Sequence, residues 1–148
     1  MAPPEARDLL IAPFYRGDSW GSLDLAMHPR APRPGDDTDL DVAVGGDSLR
    51  QALLLRLLTP QGSLASLGHV EFGSRLHELI GELNTPVTRR LARTYTLRAL
   101  IADPRVESIL DLRIPEPDQT SQDVVNIWAL VKAKNVTDPI ELGIEVAL

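Results

Sequence analysis

Three histidines and a set of carboxylates are the residues of this chain that could do acid–base or metal chemistry, and each has a plainer reading beside it. His69 and His77 stand eight apart across a predicted loop–helix junction, with His28 far upstream. That spacing matches no familiar ligand pattern, and each histidine reads as a capping or surface group. Glu71, Glu78 and Glu82 could supply the carboxylate pair that glycoside hydrolysis needs, since residues 71 and 78 lie about two helical turns apart. Acidic residues on an amphipathic helix are more simply its solvated side. No glycine-rich phosphate loop, nucleophile elbow or zinc spacing is present, so catalytic, cofactor-binding and metal-ligating residues are all expected to be absent. Arg89, Arg90, Arg93 and Arg98 follow one another between Pro86 and Ala102 with no intervening acid. They form either a solvated basic face or an anchor for an acidic protein surface, because arginine forks bind carboxylates bidentately.

The composition narrows the classes further. The 148 residues are 43% hydrophobic and 24% charged with a net charge of −6, enough apolar content for one packed domain. No cysteine is present, which excludes a disulfide framework and thiolate metal sites. The acidic total argues against a general nucleic-acid binder. No apolar run is long enough to span a membrane, and the first residues lack the basic leader and apolar stretch of a signal peptide.

The elements that must position these groups fall into two unequal parts. Residues 1–37 hold six of the twelve prolines and also Leu9, Leu10, Ile11, Phe14, Tyr15, Trp20, Leu23 and Leu25. Proline removes backbone donors, so this is an extended proline-rich arm that packs on its own domain or on a partner. Residues 38–148 form an α+β domain. Leu40, Val42 and Val44 alternate with acids, the pattern of a half-exposed strand. Ser48 and Gln51 make a capping box for a first helix, which Thr59-Pro60 ends. A second helix is expected from Ser74 to Gly81, with Leu76, Leu79, Ile80 and Leu83 on one face. Thr85 caps a third, opened by Pro86 and buried along Val87, Leu91, Leu97, Leu100 and Ile101.

The last third reads as a three-stranded antiparallel meander, with helices on one sheet face. Val106, Ser108, Leu110, Leu112 and Ile114 share one face of its first strand. Val125, Ile127, Ala129, Val131 and Ala133 share one face of the second, and Ile140, Leu142, Ile144, Val146 and Leu148 one face of the third. An edge strand at the C-terminus would offer unpaired N–H and C=O groups to another chain.

Within residues 57–86, Leu58-Thr59 and Gly62, then Gly68-His69, then Phe72-Gly73-Ser74-Arg75-Leu76, and finally Asn84-Thr85-Pro86 form a signature. Downstream, Asp103-Pro104-Arg105 stands between the last helix and the first C-terminal strand. Together these resemble the small, lysozyme-like baseplate wedge proteins of contractile phage tails, type VI secretion baseplates and extracellular contractile injection particles. The spelling is closest to the injection-particle branch. The resemblance covers residues 38–148. It departs at Val70, where the family usually has proline, and at Asp103, where the family acid is commonly glutamate.

What the resemblance implies is a non-enzymatic structural subunit, assembled in the bacterial cytoplasm into the baseplate of a tail-like particle. Asp103, Pro104 and Arg105 would contact the larger wedge subunits, or Arg105 would pair inside its own domain with Asp103 or Glu107. The strands carrying Val125, Ile127, Ala129 and Val131 and Ile140, Leu142, Ile144 and Val146 would take part in strand exchange with the sheath subunit. Thr59, Gly62, Gly68, His69, Phe72, Gly73, Arg75, Leu76 and Pro86 carry the family signature. The implied partners are wedge subunits, the sheath subunit and hub or spike proteins, in several copies around a ring, with no nucleic acid and no membrane insertion. The alternatives are a lysozyme-like cell-wall hydrolase and a regulatory adaptor on the same fold.

Overall fold

The computed structural model describes residues 7–9, 27–28, 39–40, 42–118 and 122–148. The chain divides into two compact units, Met1–Gln51 and Ala52–Leu148. The architecture is α+β, with small two-stranded sheets, two α-helices and a three-stranded antiparallel sheet.

In the first unit, β1 (Arg7–Leu9) pairs antiparallel with β4 (Val42–Val44), and β2 (Met27–His28) pairs with β3 (Asp39–Leu40). The expected single strand near residues 38–44 is therefore two short ones, each paired with a short strand from residues 1–37. Its face is also inverted: Ala43 is buried, while Val42 and Val44 are exposed. Val-Ala-Val is apolar on both faces, so alternation could not specify which side turns inward. The other large apolar residues expected in an N-terminal arm, Phe14, Tyr15 and Trp20 among them, lie outside the described residues.

Helix α1 (Gly46–Leu58) starts two residues before the expected cap. Gln51 does not close a capping box; its side-chain amide donates to the Leu9 carbonyl at 2.8 Å, fixing β1 within the first unit. Leu49, Leu53 and Leu57, at four-residue spacing, form the buried stripe of α1.

In the second unit, the expected middle helix is only a 3-10 turn, Leu76–Leu79. Leu76 and Leu79 are buried, as their three-residue spacing allows in a 3-10 turn, whereas Ile80 and Leu83 are exposed. The seven residues between Gly73 and Gly81, both at positive φ, are too few to nucleate a stable α-helix. Helix α2 (Pro86–Ile101) begins as expected, with the Thr88 amide donating to the Thr85 hydroxyl and Pro86 in the first turn. Of the expected stripe Leu100 is buried and Leu97 half-buried; the rest of the buried face is Thr88, Ala92, Thr96 and Ala99. Val87, Leu91 and Ile101 are exposed. This face, made mostly of small side chains, is the one packed where α2 meets β5 and β6.

Strands β5 (Val106–Arg113), β6 (Val124–Ala133) and β7 (Ile140–Ala147) form the sheet, with β6 in the centre. Val125, Ile127, Ala129, Val131 and Ala133 face the core as expected, opposed by Ile140, Leu142, Ile144 and Val146 of β7. Burying each of the larger of these side chains contributes about 1.5–3 kcal/mol. Strand β5 departs from simple alternation. Its register shifts between Val106 and Ser108 and again between Ile109 and Asp111. Two bulges thus turn Val106, Ile109 and Leu112 inward and leave Leu110 exposed.

Candidate functional site

The corner from α2 into β5 is built by Asp103, Pro104 and Arg105. The Val106 amide donates to the Asp103 carbonyl at 3.1 Å, which closes a tight turn. Lys134 fastens the turn to β6: its backbone N–H donates to the Arg105 carbonyl at 2.8 Å and its ammonium to the Pro104 carbonyl at 2.7 Å.

Asp103 is only 3% exposed yet carries a carboxylate. It accepts from the Arg105 backbone N–H at 3.0 Å, from Nε at 2.9 Å and from Nη2 at 2.8 Å. The hydrogen-bonded Arg105 guanidinium holds the Asp103 carboxyl below the ordinary aspartate range against the opposing effect of burial, with Arg56 adding a smaller pull in the same direction. Arg105 is raised in turn by Asp103. Of the two intradomain partners open to Arg105, the structure selects Asp103, since Glu107 pairs with Lys132 at 3.0 Å. Arg105 is nevertheless 45% exposed. Of its five N–H donors, Asp103 occupies one on Nε and one on Nη2, so three remain for another chain.

A third residue completes this cluster, and the sequence did not single it out. Arg56, near the end of α1, places Nη2 3.8 Å from the second Asp103 oxygen. Its guanidinium lies over the Phe72 ring, 4.6 Å from the centroid. Its Nε is buried without a hydrogen-bond partner. The one sequence clue was an arginine interrupting the leucine run of α1.

The remaining signature residues hold the loop between α1 and α2. Ser74 is the staple: its hydroxyl donates to the Leu57 carbonyl, its N–H to the Thr59 carbonyl at 2.8 Å, and its carbonyl accepts from the Gln61 N–H at 2.8 Å. Gly73 has φ +110°, and a Cβ there would sit 2.5 Å from the Thr59 carbonyl oxygen. Only glycine fits. Gly62 and Gly68 share φ +85° in open space. His69 and Val70 are exposed, and His69 contributes backbone hydrogen bonds to Leu64 and Phe72. Arg75 is bidentate to Glu78 at 2.7 Å and stacks on Tyr95. Leu76 is buried, and Pro86 opens α2. Asn84 links the foot of α2 to the sheet, donating to the Val124 carbonyl at 2.8 Å and accepting from Arg89 at 3.0 Å.

The sheet's two outer edges differ. Among the described residues β7 pairs with β6 alone, in an uninterrupted register from Val124↔Ala147 to Val131↔Ile140. Leu148 donates its backbone N–H to the Asp123 carbonyl at 2.8 Å, continuing that register. The alternation of an antiparallel ladder then points the N–H groups of Ile140, Leu142, Ile144 and Val146 at β6, and those of Glu141, Gly143, Glu145 and Ala147 outward. The edge of β5 is instead disrupted by its two bulges, a common way of blunting an edge. Val125, Ile127, Ala129 and Val131 lie on the central strand and all four pair with β7; the β5 ladder reaches only to Trp128, so on that side Ala129 and Val131 are paired and Val125 and Ile127 are not. The side chains of all four are buried in the core.

The residues first considered for chemistry are dispersed. Glu71 and Glu78 are exposed, and hydrogen bonding from Arg75 lowers the Glu78 carboxyl, the opposite of what a general acid requires. His77 is exposed, with Nδ1 3.1 Å from the Ser74 carbonyl; the side chain of His28 lies outside the described residues. No cluster of three or more potential metal ligands occurs among the described residues, nor does any helix long and apolar enough to cross a membrane. The four arginines of α2 divide in function. Arg89 pairs with Asn84 and Glu116 and Arg93 donates to the Leu112 carbonyl at 2.7 Å, while Arg90 and Arg98 face outward. Compared with family models, curated proteins and solved structures, the chain matches none.

Proposed function

We propose that this chain is a structural wedge subunit in the baseplate of a contractile injection system or contractile phage tail. It joins the bundle of larger wedge subunits to the first sheath ring and templates sheath assembly by strand addition. The observation that supports this most is the regular outer edge of β7. Four consecutive outward positions of the ladder, Glu141, Gly143, Glu145 and Ala147, offer backbone donors and acceptors with no partner among the described residues. The Asp103–Pro104–Arg105 corner supports the wedge contact, since it fixes a half-exposed guanidinium with three free donors. The role is one of scaffolding rather than catalysis.

Point substitution tests the β7 template better than truncation, because β7 also supplies Ile140, Leu142, Ile144 and Val146 to the core. Glu145→Pro removes an outward N–H and should leave a folded domain. Ile144→Pro removes an N–H that bonds to β6 and should unfold the sheet. In native cells, the expected result is that Glu145→Pro gives soluble chain that copurifies with the wedge but supports no sheathed particles by negative-stain microscopy. Normal sheathed particles with Glu145→Pro would discard the template, and normal particles in a strain lacking the gene would discard the baseplate reading itself.

A further inference from the structure

Helix α2 presents to solvent a face that a buried partner face would be expected to have. Val87, Arg90, Leu91, Thr94, Arg98 and Ile101 lie within a stripe about 100° wide on the side opposite Ala92, Thr96 and Ala99. Val87 is 61% exposed and Ile101 66%. Leu83, four residues before Val87, is 79% exposed. Isolated exposed aliphatics need no explanation, but an aligned series along a helix of about 24 Å does.

Charge selects the occupant. The chain carries a net −6, yet α2 has four arginines and no acid. Two of those arginines are committed to the domain; Arg90 and Arg98 form no ion pair among the described residues and lie within the same stripe as the apolar groups. We infer that the outward face of α2 binds an acidic amphipathic helix of another protein, whose aliphatic groups cover Val87, Leu91 and Ile101 and whose carboxylates pair with Arg90 and Arg98.

A second copy of this chain does not fit, because α2 against α2 opposes arginine to arginine. The other helix, α1, has one acid, Asp47, confined to its first turn. The inference goes beyond the wedge contact at Arg105 and the β7 edge. It stands whether or not the baseplate reading holds.

The test titrates the intact chain into two labelled helical peptides that share one apolar pattern at i, i+4 and i+8, one flanked by glutamates and the other by lysines. Fluorescence anisotropy should show the glutamate peptide binding about tenfold tighter or more, and more weakly as salt is raised. Arg90→Glu with Arg98→Glu should reverse the preference, and Val87→Ser with Leu91→Ser should weaken binding of the glutamate peptide. All four positions are exposed, so thermal melts of the variants should match the parent, and Lys132→Ala on the sheet's outer surface should bind normally. Equal binding of the two peptides would overturn the inference. So would self-association lost on Leu91→Ser, or binding to phosphatidylserine vesicles without binding to the glutamate peptide.

Discussion

The guanidinium of Arg56 lies 4.6 Å from the centre of the Phe72 ring while one of its nitrogens stands 3.8 Å from the Asp103 carboxylate. One side chain thus connects the signature loop, the end of α1 and the corner that carries Arg105. Phe72 fixes Arg56, Arg56 faces one oxygen of Asp103, and Asp103 orients Arg105. The aromatic residue of the signature is therefore explained by a cation it stacks on, not by a ligand it meets.

Replacing Arg56 with methionine should keep the packing of its stem but remove the second cation near a buried carboxylate. Denaturant unfolding should show a loss of about 1–3 kcal/mol. Arg56→Lys should recover little of it, because an ammonium lacks the flat face that stacks on Phe72. Full stability in Arg56→Met would remove Arg56 from the chain of contacts behind Arg105.

Acid should weaken the corner in a defined direction. Arg105 holds the Asp103 carboxyl below its unfolded value, so the pair stabilises the fold fully above about pH 4 and is lost as pH falls through the lower folded value. The stability difference between the parent and Asp103→Asn should be constant near neutrality and shrink below about pH 4. A difference that grows on acidification would contradict the assignment.

Two glycines of the signature make a paired comparison. Gly73→Ala forces a Cβ against the Thr59 carbonyl at a positive φ and should cost about 2–4 kcal/mol. Gly68→Ala meets nothing within 4 Å and should cost only the left-handed conformation, about 1–2 kcal/mol. Urea midpoints of the two variants separate close approach from backbone conformation.

Asn84→Ala should release the foot of α2 from the start of β6 and leave Arg89 with Glu116 and the backbone carbonyl of residue 84. A loss of about 1–2 kcal/mol is expected by thermal unfolding. Hydrogen exchange should quicken most at Val125, whose N–H bonds to β7 beside the released Val124 carbonyl. Unchanged protection there would show that the Val124 carbonyl does not depend on Asn84.

The sequence by itself determined the elements whose signals are local. Thr85-Pro86 fixed the start of α2, because cap and first-turn proline act within four residues, and strict alternation fixed both faces of β6 and β7. Glycine and proline marked the turns for the same reason. Tertiary structure decided the rest. Two bulges in β5, which depend on its partner strand, moved the inward positions from Leu110 to Ile109. The buried face of α2 went to Ala92, Thr96 and Ala99, since how closely a helix approaches a sheet is a property of both surfaces. The meander read from the sequence already put β6 in the centre; that no further strand of the described residues pairs with β7 was decided by the fold, since no local pattern encodes it. Arg56 was hidden for the same reason: its partners Phe72 and Asp103 lie 16 and 47 residues away in sequence and meet only when the loop and corner fold against the end of α1.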